Sequence, residues 1–183
     1  MAGRSSTNET GPSWTSTSQP ARACPTLAGV PHEPRVSLSP ELPHRLRRLA
    51  EAAAPREFVA LLAGPTWTTA LLVDHVQPLA NVAAALDRFE VEATGFAAAE
   101  GALRNQGRRW LGFVHSHPVG RAALSASDRQ QLWPHCLQLV VGLAASAARE
   151  AWLRAFHGDG VTWRELPIEI ASPWAAAAVQ EPA

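Results

Sequence analysis

Apolar residues recur at helical spacing in two places and in strand-like runs in several others, which predicts an α/β fold. Near the start they recur every three or four residues, as on one face of an amphipathic helix, at Leu42, Leu46, Leu49 and Ala53. This helix is predicted to end before Pro55. Residues 94–104 repeat the spacing, and Thr94 is the expected N-cap of that second helix.

Seven further segments have the alternation or the β-branched and apolar composition of strands. They span residues 57–62, 67–76, 88–92, 110–114, 137–143, 150–156 and 161–170. Gly64-Pro65 is predicted to turn the chain between the first two of them. Gly158-Asp159-Gly160 is predicted as the tight turn between the last two. Strands and helices therefore follow one another as expected of an α/β domain.

The two ends of the chain differ from its middle in composition. The first 40 residues are rich in Ser, Thr, Pro and Gly and poor in large apolar residues, so they are predicted to be a disordered tail. Residues 172–183 are predicted to be a short C-terminal tail, which leaves residues 41–171 as the folded domain. A chain of 183 residues is long enough for one such domain with a proper core.

Net charge, apolar runs and cysteine content limit the classes of function that are expected for the chain. The formal net charge is zero, so no broad attraction to nucleic acid or to a membrane is expected. No apolar run has the length of a membrane span, and none follows the N-terminus as in a signal peptide, so a cytoplasmic protein is expected. Cys24 lies in the predicted tail, so a disulfide with Cys136 is not expected.

A group of polar residues after the fourth predicted strand has the chemistry of a metal site. His115 and His117 are two residues apart, so on a strand both imidazoles point to the same face and can reach one ion. Pro118 disfavours helical backbone at the residue before it. Asp128 lies in the first turn of a predicted helix, residues 128–132, and can add a carboxylate. Three protein ligands leave a fourth tetrahedral position for water, as in a catalytic zinc site.

The same residues also have simpler structural interpretations. Ser125 and Asp128 have the spacing of a helix capping box, with Asp in place of the usual Glu or Gln. The paired histidines alone would be ordinary surface or hydrogen-bonded residues. Two histidines and a carboxylate also hold iron in some oxygenases, although those enzymes usually have an all-β barrel rather than alternating strands and helices. The fixed spacing of all these residues together favours the metal site.

The pattern H-x-H, seven residues, S, two residues, D resembles the signature of the JAMM, or MPN-plus, metalloproteases. The resemblance extends from about residue 41 to about residue 170 and implies a central mixed β-sheet flanked by helices, of the cytidine-deaminase-like type. It implies one zinc ion per chain with His115, His117 and Asp128 as ligands. It also implies that Ser125 hydrogen-bonds the oxyanion of the tetrahedral intermediate.

The family also carries a glutamate on an early strand, in the pattern P-x-E-x-x-G-x-L-x-G. The matching positions here are Pro55, Glu57, Leu62 and Gly64. Ala60 stands where the first glycine is usual, which we interpret as tolerated close packing. By this resemblance Glu57 is the general base, which takes a proton from water activated by zinc and passes it to the leaving amine.

The resemblance implies hydrolysis of the amide bond after the C-terminus of a ubiquitin-like protein. The compact domain is most similar to small bacterial members of the family. Asn81, Phe89 and Arg154-Ala155-Phe156 also resemble that bacterial group, and no role is assigned to them. Two substrates remain open, namely a sulfur-carrier protein bearing a cysteine in cysteine biosynthesis, and a ubiquitin-like protein joined to a target beside E1-like and E2-like proteins. The alternative is a non-catalytic MPN scaffold, which keeps the fold and loses the metal ligands.

Overall fold

The strand that ends at the two histidines lies in the middle of the larger of two β-sheets. The computed structural model describes residues 34–66, 68, 70–144 and 151–172. In chain order, the elements of these residues are β1 (Val36–Leu38), α1 (Leu42–Ala53), β2 (Val59–Pro65), β3 (Leu71–Val73), β4 (His75–Pro78), α2 (Ala93–Asn105), β5 (Arg108–His117), α3 (Ala126–Gln131), β6 (Leu137–Gly142), β7 (Leu153–Gly158), β8 (Trp163–Leu166) and β9 (Ile168–Ile170).

Six strands form the larger sheet in the order β4-β2-β5-β6-β7-β8. β5 pairs antiparallel with β2 and parallel with β6, so the sheet is mixed, as the resemblance implied. Gly112 permits the close approach of β5 to β6, because a Cβ there would lie 1.8 Å from the carbonyl oxygen of Leu137. The smaller sheet is parallel throughout, in the order β3-β1-β9.

A helix covers each face of the larger sheet. Leu46 of α1 is fully buried in a core cluster with Leu62 of β2 and Val114 of β5. The neighbouring strand positions Leu61 and Phe113 belong instead to the cluster that α2 covers, as the alternation of a strand requires. The expected α/β class and the flanked mixed sheet are therefore confirmed, as is the first predicted helix.

The prediction of a turn at Gly64-Pro65 is wrong. β2 continues through both residues, and Pro65 pairs with Arg108 at the start of β5. The single strand predicted over residues 67–76 is two short strands, β3 and β4, which lie in different sheets with Asp74 between them. Both strands present buried apolar residues, so hydrophobic periodicity alone could not reveal the change of sheet. Residues 67 and 69 lie outside the described part of the chain.

The strand predicted over residues 88–92 is also wrong, because this segment is a loop that leads into α2. Phe89 and Val91 alternate as in a strand, but they pack into the core from the loop instead. The helix begins at Ala93, so Thr94 lies inside it and is not the N-cap. Glu92 occupies that position without a side-chain capping bond.

The last predicted strand, residues 161–170, is divided at Pro167 into β8 and β9, which belong to different sheets. Proline has no N–H to continue a strand ladder, which explains the break. β7 is displaced toward the C-terminus from the predicted residues 150–156, of which residue 150 is not described. The predicted turn at Gly158-Asp159-Gly160 does join two antiparallel strands, but Gly158 is the last residue of β7 and the connection to β8 spans residues 159–162.

The boundary placed at residue 40 is too late. Val36 and Leu38 are fully buried and form β1, the central strand of the smaller sheet. β1 has three residues, two of them apolar, within a segment rich in Ser and Pro. Composition alone therefore does not reveal this strand. The rest of the tail predictions concern residues 1–33 and 173–183, which lie outside the described residues. Within the described part, no helix is long and apolar enough to cross a membrane.

The two core clusters predict a clear difference between buried and exposed leucines. Leu46→Ala should lower the free energy of unfolding by about 2–5 kcal/mol, because it removes a fully buried side chain and leaves a cavity. Leu86→Ala is the matched control, since Leu86 is 50% exposed and should change stability by less than about 0.5 kcal/mol. Urea denaturation measures both, and equal losses would contradict the packing of α1.

Candidate metal centre

β5 places two imidazoles side by side at its C-terminal end. His115 and His117 point to the same face of the sheet, with ring centroids 5.1 Å apart. His115 is fully buried, whereas the side chain of His117 is 13% exposed. The Nδ1 atom of His117 lies 3.0 Å from the carbonyl oxygen of Arg121, so a proton on Nδ1 is accepted there and Nε2 faces the site.

Asp128 reaches the same place from α3. Its Oδ2 lies 3.2 Å from Nε2 of His117 and 3.5 Å from Nε2 of His115. The capping box that the sequence offered as a simpler interpretation is also present. The N–H of Asp128 donates to Ser125 Oγ, and the N–H of Ser125 donates to Asp128 Oδ2. The cap therefore orients the carboxylate toward the histidines, and the two interpretations describe one arrangement.

These three residues fit a bound metal ion. One ligand atom from each lies within 4.8 Å of the others. Both ring nitrogens of His115 are buried without a hydrogen-bond partner in the described part of the chain, which is costly unless another group satisfies them. A cation facing the imidazoles and Asp128 would satisfy Nε2, and a donor set of two nitrogens and one carboxylate suits zinc and other transition metals.

Opposing effects act on the pKa values of Asp128 and His117. Burial raises the pKa of Asp128, but the close approach of the His115 and His117 imidazoles outweighs this effect and holds its pKa well below the usual range. Burial lowers the pKa of His117, while its hydrogen bond to Asp128 and the carboxylate charge reverse the shift, so its pKa is raised. Asp128 is therefore a carboxylate, the form in which it binds a metal.

Glu57 stands beside this group, in the short segment before β2. Its Oε1 lies 3.9 Å from Nε2 of His117, and its Oε2 is buried with no hydrogen-bond partner among the described residues. Burial raises the pKa of Glu57 to about 7, against a lowering effect of His117. A carboxyl with a pKa near neutrality can both take up and release a proton under ordinary conditions.

The structure thus brings four of the five predicted site residues together, and Ser125 adjoins them through its hydrogen bonds with Asp128. The hydroxyl of Ser125 also lies 3.0 Å from that of Ser127. These positions agree with the predicted ligands and base; the roles themselves remain predictions.

Ser116 is a contributor that the sequence motif did not reveal. It lies between the two histidines, is fully buried, and points to the opposite face of β5. Its Oγ accepts a hydrogen bond of 2.8 Å from the N–H of Phe58, and its own N–H donates to the carbonyl oxygen of Phe58. The residue after Glu57 is therefore fixed to the middle of the histidine pair. The feature of the sequence that could have indicated this role is a small hydroxyl side chain within a strand predicted to be buried.

Comparison with known proteins identifies a family and a shared fold. A family model described as prokaryotic homologs of the JAB domain matches residues 39–155, which include all five predicted site residues. The solution structure of a protein from Desulfitobacterium hafniense is 25% identical, with a TM-score of 0.66, and the match covers 75% of this chain and 93% of that one. No curated protein matches the chain.

Two further structures are similar to this chain. A solution structure of a protein from Salinibacter ruber is 24% identical, with a TM-score of 0.57, and the match covers 75% of this chain and 93% of that one. The crystal structure of a JAB1/MPN domain protein from Archaeoglobus fulgidus is 20% identical, with a TM-score of 0.48 and coverage of 75% and 98%. The two solution structures, from Desulfitobacterium hafniense and Salinibacter ruber, have the same fold as this chain.

The geometry predicts that Asp128→Asn separates metal binding from folding. The amide oxygen can still accept from the N–H of Ser125, so the metal-free variant should unfold near the wild-type temperature. Loss of the ionised ligand should weaken zinc binding by more than the roughly 10–100-fold that loss of an outer-shell partner costs. Competition with a chromophoric chelator measures the affinity.

Asp87→Asn is the control for Asp128→Asn, because it makes the same change in a side chain that is 83% exposed. This variant should bind about one zinc per chain, like the wild type. Equal zinc affinity in Asp128→Asn and the wild type would show that Asp128 is not a ligand.

Proposed function

Because the chain belongs to the family of prokaryotic homologs of the JAB domain, we propose that it is a zinc-dependent peptidase or isopeptidase. Its substrate is the amide bond after the C-terminus of a ubiquitin-like or sulfur-carrier protein. The observation that carries the proposal is the position of Glu57. This buried carboxyl, one oxygen of which has no partner within the described ranges, lies beside His117 and has a pKa of about 7. Metal binding alone would not need such a group.

Zinc bound by His115, His117 and Asp128 would lower the pKa of a water molecule and polarise the scissile carbonyl. Glu57 Oε2 has no competing hydrogen bond from the residues that the structure describes, and it accepts the proton of the attacking water. The same carboxyl then donates that proton to the leaving amine. Ser116 and the paired backbone of β2 and β5 keep the residues after Glu57 in place during both transfers.

Ser125 is the proposed donor to the oxygen of the scissile carbonyl. Its Oγ already accepts from the N–H of Asp128. With Ser127 as the donor between the two hydroxyls, the proton of Ser125 is left for the substrate oxygen as negative charge develops there. The capping role and the catalytic role are therefore compatible in one side chain.

An extended C-terminal tail suits the placement of this site. Of the three candidate ligands, His117 is the most exposed, and it lies at the very end of β5, where the chain leaves the sheet. A thin, flexible segment can reach such a point, whereas a folded surface would not. The proposed setting is the cytoplasm, with E1-like and E2-like proteins as further partners if the substrate is a conjugate.

Glu57→Gln tests the reaction directly. The change keeps size and hydrogen-bonding shape but removes the proton acceptor, so zinc content should stay at the wild-type level. The value of kcat should fall by roughly 10²–10⁴-fold. Glu92→Gln is the control, because Glu92 is exposed and makes no side-chain capping bond. Undiminished hydrolysis by Glu57→Gln would remove Glu57 from the mechanism.

The substrates for this test should come in two series. One series carries cysteine on the C-terminus of a sulfur-carrier protein, and the other carries a ubiquitin-like protein joined to a lysine side chain of a target. Cleavage of one series alone identifies the pathway. If zinc-loaded wild-type protein cleaves neither, the peptidase proposal fails and a non-catalytic role for the metal-binding domain replaces it.

A further inference from the structure

The side chain of Asn81 makes four hydrogen bonds at the loop between β4 and α2. Its Nδ2 donates hydrogen bonds to the carbonyl oxygens of Glu57 and Arg88, at 2.9 and 3.1 Å. Its Oδ1 accepts from the N–H groups of Ala83 and Glu90, at 3.0 and 3.1 Å. A carboxamide has two N–H donors and an oxygen with two lone pairs, so all of its hydrogen-bonding capacity is used.

Two of these bonds bracket Phe89. The carbonyl of Arg88 and the N–H of Glu90 lie on either side of this residue, so Asn81 fixes the backbone at both of its ends. The ring of Phe89 packs on the imidazole of His115, with centroids 5.1 Å apart and planes inclined by 34°. Asn81 therefore determines where the loop meets a metal ligand.

A third bond holds the backbone of Glu57. The peptide group between Glu57 and Phe58 is fixed at both polar atoms, because its carbonyl accepts from Asn81 and its N–H donates to Ser116 Oγ. Ser116 belongs to the strand that carries the histidines, and Asn81 belongs to the loop that covers His115. The proposed base is thus tied to the metal ligands from two directions.

We propose that Asn81 is a positioning residue, which couples the placement of Glu57 to that of His115 through the Phe89 loop. The inference rests on the proposed function. Asn81 acts through the backbone of Glu57 and the ring of Phe89, without contact with the substrate. A displacement of about 1 Å at the reacting groups can reduce a rate by about 100-fold, so this coupling has a measurable effect.

Asn81→Asp is the sharpest test, because it nearly preserves size and retains both acceptor contacts. It removes the two N–H donors and places a carboxylate against the carbonyls of Glu57 and Arg88. We expect the affinity for Co²⁺, used as a spectroscopic probe, to fall by about 10–100-fold, the usual effect of an outer-shell partner. The visible absorption bands of bound Co²⁺ should shift, and kcat should fall by about 100-fold with little change in KM.

Asn105→Asp is the matched control, since it makes the same chemical change at an exposed residue at the end of α2. It should behave as the wild type in every measurement. A variant Asn81→Asp that binds Co²⁺ with wild-type affinity and spectrum would overturn the proposal, even with a lower melting temperature. Asn81 would then only stabilise its loop.

Phe89→Leu keeps the proposal testable if Asn81→Asp does not fold. It removes the ring from His115 but leaves the backbone bonds of Asn81 in place. We expect a loss of Co²⁺ affinity in the same direction, and an unchanged spectrum would contradict the coupling. If the wild type hydrolyses no substrate, the proposed function fails, while the Co²⁺ measurements still decide the role of Asn81.

Discussion

Glu57, His115 and Asp128 are buried together at one end of β5, beside the partly exposed His117, and contacts with neighbouring groups determine which of them stay charged. An ionised group withdrawn from water is strongly disfavoured unless a partner faces it. Asp128 has two imidazoles and a capping N–H, and it stays ionised. Glu57 is also buried but only approaches His117, and its pKa rises to about 7. The two carboxyls differ because their contacts differ, and these contacts suit Asp128 to binding a cation and Glu57 to moving a proton.

Secondary structure and hydrogen bonds hold each of these side chains from more than one side. β5 lies inside the sheet, paired with β2 from Arg108 to His115 and with β6 from Gly112 to His117, so the histidines cannot move without disturbing the core. The capping box fixes Asp128 to the start of a helix of six residues. Ser116 uses the other face of β5 to hold the segment that follows Glu57. Preorganisation of this kind is what electrostatic stabilisation of a reaction requires.

Local patterns predicted the parts of the structure that local forces determine. The spacing of His115, His117 and Asp128 predicted a group that the fold does assemble, because strand alternation and a helix start are short-range features. The position of Glu57 beside them came only from the resemblance, since the residues are joined by pairing across the sheet. Ser116 and Phe58 are 58 positions apart, and no periodicity marks such a contact. The division of strands between two sheets escaped prediction for the same reason.

The smaller sheet has a consequence for how the protein is made. β1 pairs with β3 on one side and with β9 on the other, and Ser37 is hydrogen-bonded to Glu169, 132 positions later in the sequence. A ribosome synthesises β1 early and β9 near the end of the described chain. Until then one edge of β1 has no partner, and an unpaired strand edge invites association with other chains. The growing polypeptide therefore still exposes one edge of β1 to other chains throughout the interval between the synthesis of β3 and that of β9.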